Sequence, residues 1–182
     1  MSKLELYGRY LWSLLQHKWF VFRAGRMAGV PLWRLVVHDW QKLSPWEFAG
    51  YALYPRGEAD IEPEKVVAYA YAWLHHENTA PHHWGYWIPR SGPLVGRPLP
   101  MPETYVREMI ADWHGASRAY VGTWDITGWL RDNGPRMQPF LHTETIATIE
   151  RVMWELGYRR YNALGQPILH TNDEGLLWNF VS

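Results

Sequence analysis

The sequence predicts an all-α, predominantly helical fold, and three observations support this prediction. Apolar residues recur at three- and four-residue steps in several segments, which is the period of an amphipathic helix. Prolines that suit the first turn of a helix precede three of these segments, at Pro31, Pro45 and Pro63. Hydrophobic residues make up 47% of the 182 residues, enough for a sizeable core. We therefore expect a single helical domain over residues 1–182.

The first predicted helix covers residues 4–22. Its apolar stripe repeats at helical spacing, and Ala24-Gly25 is expected to end it. The stripe contains Tyr7, Leu11, Leu14, Leu15 and Lys18. His17 falls on or beside this stripe, so its imidazole is expected to point inward.

Three further helices are predicted before residue 80. Pro31 opens a second helix that runs to His38, and Ser44-Pro45-x-Glu47 has the cap, proline and glutamate of a helix start. Pro55-Arg56-Gly57 ends that third helix, and Pro63 then opens a fourth that runs to His76.

The second half begins with a long loop over residues 79–102, rich in Pro and Gly. Loops of this length are usually functional or mobile. Met101-Pro102-Glu103 starts the next helix, which carries Asp112, and Thr143 is expected to cap a last helix that ends before Gly157. A short hairpin around Gly165-Gln166 is predicted near the C-terminus.

Composition excludes several classes of function. Lys and Arg total 18, as do Asp and Glu, so there is no overall basic charge to favour nucleic acid. The absence of cysteine excludes disulfides, thiolate metal sites and cysteine nucleophiles, and it fits a reducing compartment. No stretch approaches the roughly 18 apolar residues of a membrane span. We expect a cytoplasmic protein without a membrane partner.

Imidazole and carboxylate side chains cluster in the first two thirds of the chain. They are His17, the pair His38-Asp39, the doublets His75-His76 and His82-His83, and Asp112. These are the ligand types that bind divalent metals, so we predict a site for one or two ions of Mn, Fe, Zn, Ni, Co or Mg. Adjacent helix residues differ by about 100° in direction, so only one of His75 and His76 can face the site. The sequence leaves the choice within each doublet open.

The order of these residues resembles the ligand pattern of the HD-domain superfamily, helical metal-dependent proteins that are mostly phosphohydrolases. The resemblance implies a first ligand set of His17, His38, Asp39 and Asp112, and additional ligands at His76 and His83. The segment HDWQK also matches the family's HD-x-x-K form. It implies catalytic roles for Asp39 and for Lys42, the latter near a substrate phosphate. The region over residues 15–125 is also similar to a family of uncharacterised proteins from bacteria and their phages.

Further residues are candidates for contact with a small-molecule phosphate ester. Guanidinium and ammonium groups match phosphate chemistry, and imidazoles can stack on a base or sugar ring. The candidates are Lys18, Arg23, Arg26, His75 and His82.

Three functions are consistent with this pattern. The leading hypothesis is a metal-dependent phosphohydrolase that acts on a phosphate ester such as a nucleotide. The second is an HD-type di-iron oxygenase with the same ligands. The third is a non-catalytic bacterial or phage interaction protein, whose aromatic residues would form a partner or homo-oligomer interface.

Overall fold

The all-α prediction is confirmed by a computed structural model, which describes residues 2–54 and 61–158. The regular secondary structure of these residues is entirely helical, and no β-strand occurs among them. The α-helices are α1 (Lys3–Met27), α2 (Leu32–Val37), α3 (Pro45–Ala52), α4 (Pro63–Thr79), α5 (Glu103–Tyr120), α6 (Thr127–Met137) and α7 (Thr143–Glu155). Short 3-10 helices lie at Trp40–Leu43, Trp84–Trp87 and Gln138–Phe140. The predicted hairpin around Gly165 lies outside the described residues.

Helix α1 is longer than the sequence indicated, and it buries a different stripe. Ser2 and Glu5 form a reciprocal capping box at its start, and it continues past Gly25 to Met27, where Gly29 supplies a left-handed turn (φ 75°). Its buried residues are Leu14, His17, Val21, Ala24 and Gly25. The predicted stripe was partly wrong, since Leu11 and Leu15 are 40% and 50% exposed.

Two helix pairs surround the candidate site. Helix α5 packs along α1, where Gly115 lies so close to the backbone of Val21 that a β-carbon would clash. Helix α3 packs on α4 at a similar close approach, with Gly50 against Ala68 and Ala72. Helix α1 also contacts α3, so the two pairs are joined along one side. Ligand-type residues on α1, α4 and α5 therefore meet in the interior.

The last helices pack on α5 to form a separate part of the core. Helix α7 packs on α5 and contributes Ile149 and Met153, which are fully buried with Ile110 and Leu130. Leu130 belongs to α6, which was not predicted from the sequence because Pro135 and two glycines interrupt its helical pattern of apolar residues.

Two predicted helix caps and one predicted helix end differ from the structure. Ser44 does precede α3, but its side chain makes no capping hydrogen bond. The cap of α7 is His142, whose ring nitrogen accepts the Glu144 N–H, and not Thr143. Helix α4 continues three residues beyond His76 to Thr79. Gly157 does follow the end of α7 with φ 96°, as predicted. No helix of the described residues is long and apolar enough to cross a bilayer.

Candidate metal centre

The centre is built around Asp39, which follows the C-terminal end of α2. Asp39 has left-handed backbone angles (φ 55°, ψ 22°), and it is the one described non-glycine residue with positive φ. This conformation turns the chain sharply after His38, so that two consecutive side chains face the same interior point. Both residues are almost fully buried, at 2% and 1% exposure. Strained backbone of this kind often marks a functional site.

One oxygen of Asp39 faces the first group of ligand-type residues. Its Oδ2 lies 3.3 Å from Nε2 of His17 and 3.5 Å from Nε2 of His38. Oδ1 of Asp112 lies 3.1 Å and 3.5 Å from the same two nitrogens. One ligand atom from each of these four residues falls within 4.8 Å of the others. We call His17, His38, Asp39 and Asp112 the first set.

The other oxygen of Asp39 faces a second group. Its Oδ1 lies 3.2 Å from Nε2 of His76 and 3.3 Å from Nε2 of His82. With His83, these residues again place one ligand atom each within 4.8 Å. We call Asp39, His76, His82 and His83 the second set. Asp39 thus belongs to both sets, through different oxygens.

Apart from Oδ2 of Asp39, which accepts a hydrogen bond from Lys42, the inward-facing atoms of both sets are buried and have no hydrogen-bond partner among the described residues. They are Nε2 of His17, His38, His76, His82 and His83, together with Oδ1 of Asp39 and of Asp112. Buried polar atoms are normally paired, and an unpaired group calls for a specific explanation. Imidazole nitrogens and carboxylate oxygens that converge without hydrogen bonds fit a divalent cation as their common partner.

The electrostatics of the centre favour a positive occupant. Burial opposes ionisation of Asp39 and Asp112, but the surrounding imidazoles and Lys42 outweigh it and hold the pKa of both carboxyls well below the usual range. Burial would lower the pKa of His38, yet Asp39, Asp112 and Glu108 raise it to about 9. The carboxylates thus stabilise positive charge inside the centre, and without a metal ion a protonated imidazole can supply that charge.

The second set contains imidazoles in the form that a metal requires. Burial and neighbouring His38 lower the pKa of His82, and burial with His82 and His76 lowers that of His83 well below its usual range. Neutral imidazoles have a free lone pair for a metal. These two rings are therefore ready to bind one without losing a proton.

Two buried glutamates that the sequence reading did not assign to the site hold the histidine rings in place. Oε1 of Glu108 lies 3.1 Å from Nδ1 of His38, and Glu108 also pairs with Arg34. Glu47, read from the sequence as a helix-start carboxylate, instead contacts His75 and His76. A signal for Glu108 was present, because it lies four residues before Asp112 and hence on the same face of α5.

The two histidine doublets differ in how many of their rings belong to the second set: one of His75 and His76, but both His82 and His83. His76 is fully buried in the second set, whereas His75 is 40% exposed and its Nδ1 lies 2.7 Å from Oε1 of Glu47. His82 and His83 both belong to the second set, so the predicted division into one ligand and one substrate contact is not reproduced.

The predicted cationic contacts lie at three different places. Nζ of Lys42 lies 2.5 Å from Oδ2 of Asp39. Burial would lower the pKa of Lys42, but the carboxylates of Asp39 and Asp112 outweigh this effect and raise it. The Lys18 ammonium donates to the backbone carbonyl of His38, and burial lowers its pKa. Arg23 and Arg26 line a cavity of about 610 Å³ whose walls include no member of either set. Lys42 alone contacts a carboxylate of the centre.

Comparison with known proteins gives one match. The model of a family of unknown function, DUF5662, matches residues 7–155, a span that includes every member of both sets. No curated protein and no solved structure matches the chain.

Proposed function

The chain belongs to the DUF5662 family, and we propose that it is a metal-dependent phosphohydrolase that acts on a phosphate ester. The observation that carries the proposal is the position of Asp39, whose two oxygens face two separate groups of unpaired, buried ligand atoms. Such a carboxylate suits a pair of divalent cations, and two-metal sites are common in phosphatases and nucleases.

The residues present fit the cations that this reaction requires. The first set offers two imidazoles and two carboxylates, and the second offers three imidazoles and the shared carboxylate. Mn, Fe, Zn, Ni and Co all accept such mixed nitrogen and oxygen ligands, whereas Mg prefers oxygen. When bound, such cations lower the pKa of a coordinated water and polarise a phosphoryl oxygen.

Substrate would approach this centre beside Asp112 and Lys42. Their side chains are 13% and 16% exposed, whereas those of His38, Asp39 and His76 are completely buried. A phosphate ester at this opening would meet the Lys42 ammonium at once. Lys42 would then stabilise negative charge that develops on the phosphoryl oxygens.

Asp39 has a double role in this proposal. Its carboxylate belongs to both sets and would be a ligand in each, and it also fixes the Lys42 ammonium at 2.5 Å. Lys42 is therefore oriented before substrate arrives, which lowers the cost of ordering a long flexible side chain. The full positive charge of Lys42 is retained because the carboxylates raise its pKa against the effect of burial.

A di-iron oxygenase is the second candidate, and the same position of Asp39 between the two sets favours it. The ligand atoms alone do not distinguish two irons from two hydrolytic metals. Elemental analysis of protein purified in air without chelators, together with its visible spectrum, separates the two functions. Two irons with a charge-transfer band would support the oxygenase, whereas Mn, Zn, Ni or Mg without such a band would support the hydrolase.

The decisive test combines metal content with activity. Protein as isolated is assayed against a panel of nucleotides and other phosphate esters in the presence of the metal found. Asp39→Ala should lose both the metal and phosphate release, while Asp125→Ala, at an exposed loop carboxylate, should keep both. Full metal content in Asp39→Ala would refute the assignment, and wild-type protein without metal would favour an interaction protein.

We further propose that the reaction takes place in the cytoplasm of a bacterium or of a phage-infected host. A chain without cysteine suits a reducing compartment. Self-association into a homo-oligomer stays a prediction, and light scattering during purification tests it.

A further inference from the structure

We propose that Glu47 and Glu108 are positioning residues that support the two ligand sets unequally, with Glu108 acting on both sets and Glu47 on the second set alone. The inference rests on the proposed function, because it assumes that both sets bind cations. Glu47 and Glu108 contact the imidazoles at Nδ1, on the edge opposite the inward-facing Nε2, and neither glutamate is a member of the two sets.

Glu108 contacts one imidazole from each set. Its Oε1 lies 3.1 Å from Nδ1 of His38, which belongs to the first set, and 3.5 Å from Nδ1 of His82, which belongs to the second. Its Oε2 lies 2.5 Å from both Nε and Nη2 of Arg34. Glu108 is 1% exposed, so the guanidinium is the counter-charge that stabilises its buried carboxylate.

Glu108 is close enough to His38 and His82 to form a third ligand-type group. Two features argue that it acts as a support and not as a ligand. It approaches the Nδ1 atoms, whereas the unpaired atoms of both rings are Nε2, on the opposite edge of the imidazole. Its second oxygen is already occupied by Arg34.

Glu47 contacts only the second set. Its Oε2 lies 3.1 Å from Nδ1 of His76, and its Oε1 lies 2.7 Å from Nδ1 of His75, which is outside both sets. Glu47 is completely buried at the start of α3, where a charged residue would ordinarily be exposed. His75 thus contacts the second oxygen of Glu47, as Arg34 contacts that of Glu108.

These contacts determine which nitrogen of each imidazole remains available. A carboxylate beside Nδ1 favours the tautomer with its proton on that nitrogen, which leaves the lone pair on Nε2. The contact of Glu108 with His38 is a hydrogen bond, whereas those of Glu47 with His76 and of Glu108 with His82 are electrostatic contacts at 3.1 Å and 3.5 Å. Nε2 of His38, His76 and His82 all face Asp39. Loss of such a carboxylate typically weakens metal binding by about 10- to 100-fold.

Cobalt(II) is a suitable probe, because its absorbance reports the coordination of each equivalent added. Metal-free wild-type, Glu47→Gln and Glu108→Gln proteins are titrated with Co²⁺ against a competing chelator, and bound metal is counted by elemental analysis. We expect two equivalents in the wild type. Glu47→Gln should lower the affinity for one equivalent of Co²⁺ by about 10- to 100-fold and leave the affinity for the other unchanged. Glu108→Gln should lower the affinity for both equivalents.

Glu77→Gln is the matched control, because Glu77 follows His76 in sequence but its carboxylate lies against Gly85. It should bind both equivalents as the wild type does. Far-ultraviolet circular dichroism of the metal-free proteins checks folding. If Glu47→Gln does not fold, Glu47→Asp, which keeps the charge but shortens the reach to His76, should weaken the same single equivalent.

The outcomes separate this inference from the proposed function. Wild-type protein that binds no Co²⁺ would refute both. Two equivalents in the wild type with equal weakening, or none, in Glu47→Gln would refute the unequal support while leaving the cation sites intact. Unchanged binding in Glu108→Gln would refute the role of Glu108.

Discussion

Nε2 of His76 lies 3.2 Å from Oδ1 of Asp39, although the two residues are 37 positions apart and neither side chain is exposed to solvent. The preceding residue, His75, is 40% exposed and faces Glu47. One helical step of about 100° therefore separates a buried imidazole of the second set from a half-exposed one outside it.

His76→Ala and His75→Ala form a matched pair on one helix. We expect His76→Ala to lose about one equivalent of bound metal, because it removes a ligand from the second set. His75→Ala should keep both equivalents, because His75 offers no atom to either set. Metal counting by elemental analysis after gel filtration measures the difference. Equal metal content in the two variants would contradict the assignment of His76 to the second set.

The left-handed backbone at Asp39 predicts a difference in stability between two substitutions. Asparagine tolerates this conformation, whereas alanine in it costs about 1–2 kcal/mol. In metal-free protein, Asp39→Asn should therefore be more stable to urea than Asp39→Ala by about 1 kcal/mol, although both variants lose metal. Identical unfolding free energies for the two would mean that residue 39 does not keep its positive φ.

Metal removal should lower the thermal stability of the protein. A cation that binds the folded state at 100 times its dissociation constant adds about 2.7 kcal/mol. For a domain of this size we expect the Tm to fall by roughly 5–10 °C after unfolding and refolding in a chelator. Calorimetry of the two forms measures the shift, and re-addition of the metal should restore it. A Tm that does not respond to metal would count against a resident cation.

Acid stability should depend on Glu103 at the start of α5. Hydrogen bonds from Arg151 and Arg107 lower the pKa of Glu103 to about 2. Because the folded-state pKa is below the ordinary value, the stabilisation is present above about pH 4.5 and is lost as the pH falls towards 2. Glu103→Gln should reduce stability at pH 7 by less than about 1 kcal/mol, since the pair is half-exposed.

The pH dependence of this difference is the critical observation. Urea unfolding of wild type and Glu103→Gln at several pH values should show a gap that narrows from pH 6 to pH 3. High salt should also reduce the gap at pH 7, because exposed ion pairs are screened. Glu64→Gln, at the exposed start of α4, is the control. A gap that widens with acid would contradict the direction of the pKa shift.

Much of the helical framework could be predicted from local patterns. Proline positions indicated the starts of α2, α3 and α4, and Gly157 indicated the end of α7, because these effects act within one or two turns. The buried stripe of α1 could not be predicted. Leu11 and Leu15 fit a helical period as well as Leu14 and Val21 do, and the position of α5 decides which residues are covered.

The sequence predicts which residue types form the centre and their order along the chain. It does not predict how the imidazole rings are oriented. The structure brings His17, His38, Asp39, His76, His83 and Asp112 together. The choice of His76 over His75 depends on how α4 is rotated against α3, which no single helix determines. Glu47 was missed because a glutamate in the first turn of a helix has an ordinary local explanation, and its contacts with His75 and His76 come from a different helix.

The burial of the centre has a kinetic consequence. His17, His38, Asp39, His76 and His82 are each no more than 2% exposed, so an ion reaches them through the small opening beside Asp112 and Lys42. An ion held by several buried ligands behind so small an opening should exchange slowly and remain bound through dilution and chromatography. The metal that is supplied when the site first fills should therefore decide which element the protein carries.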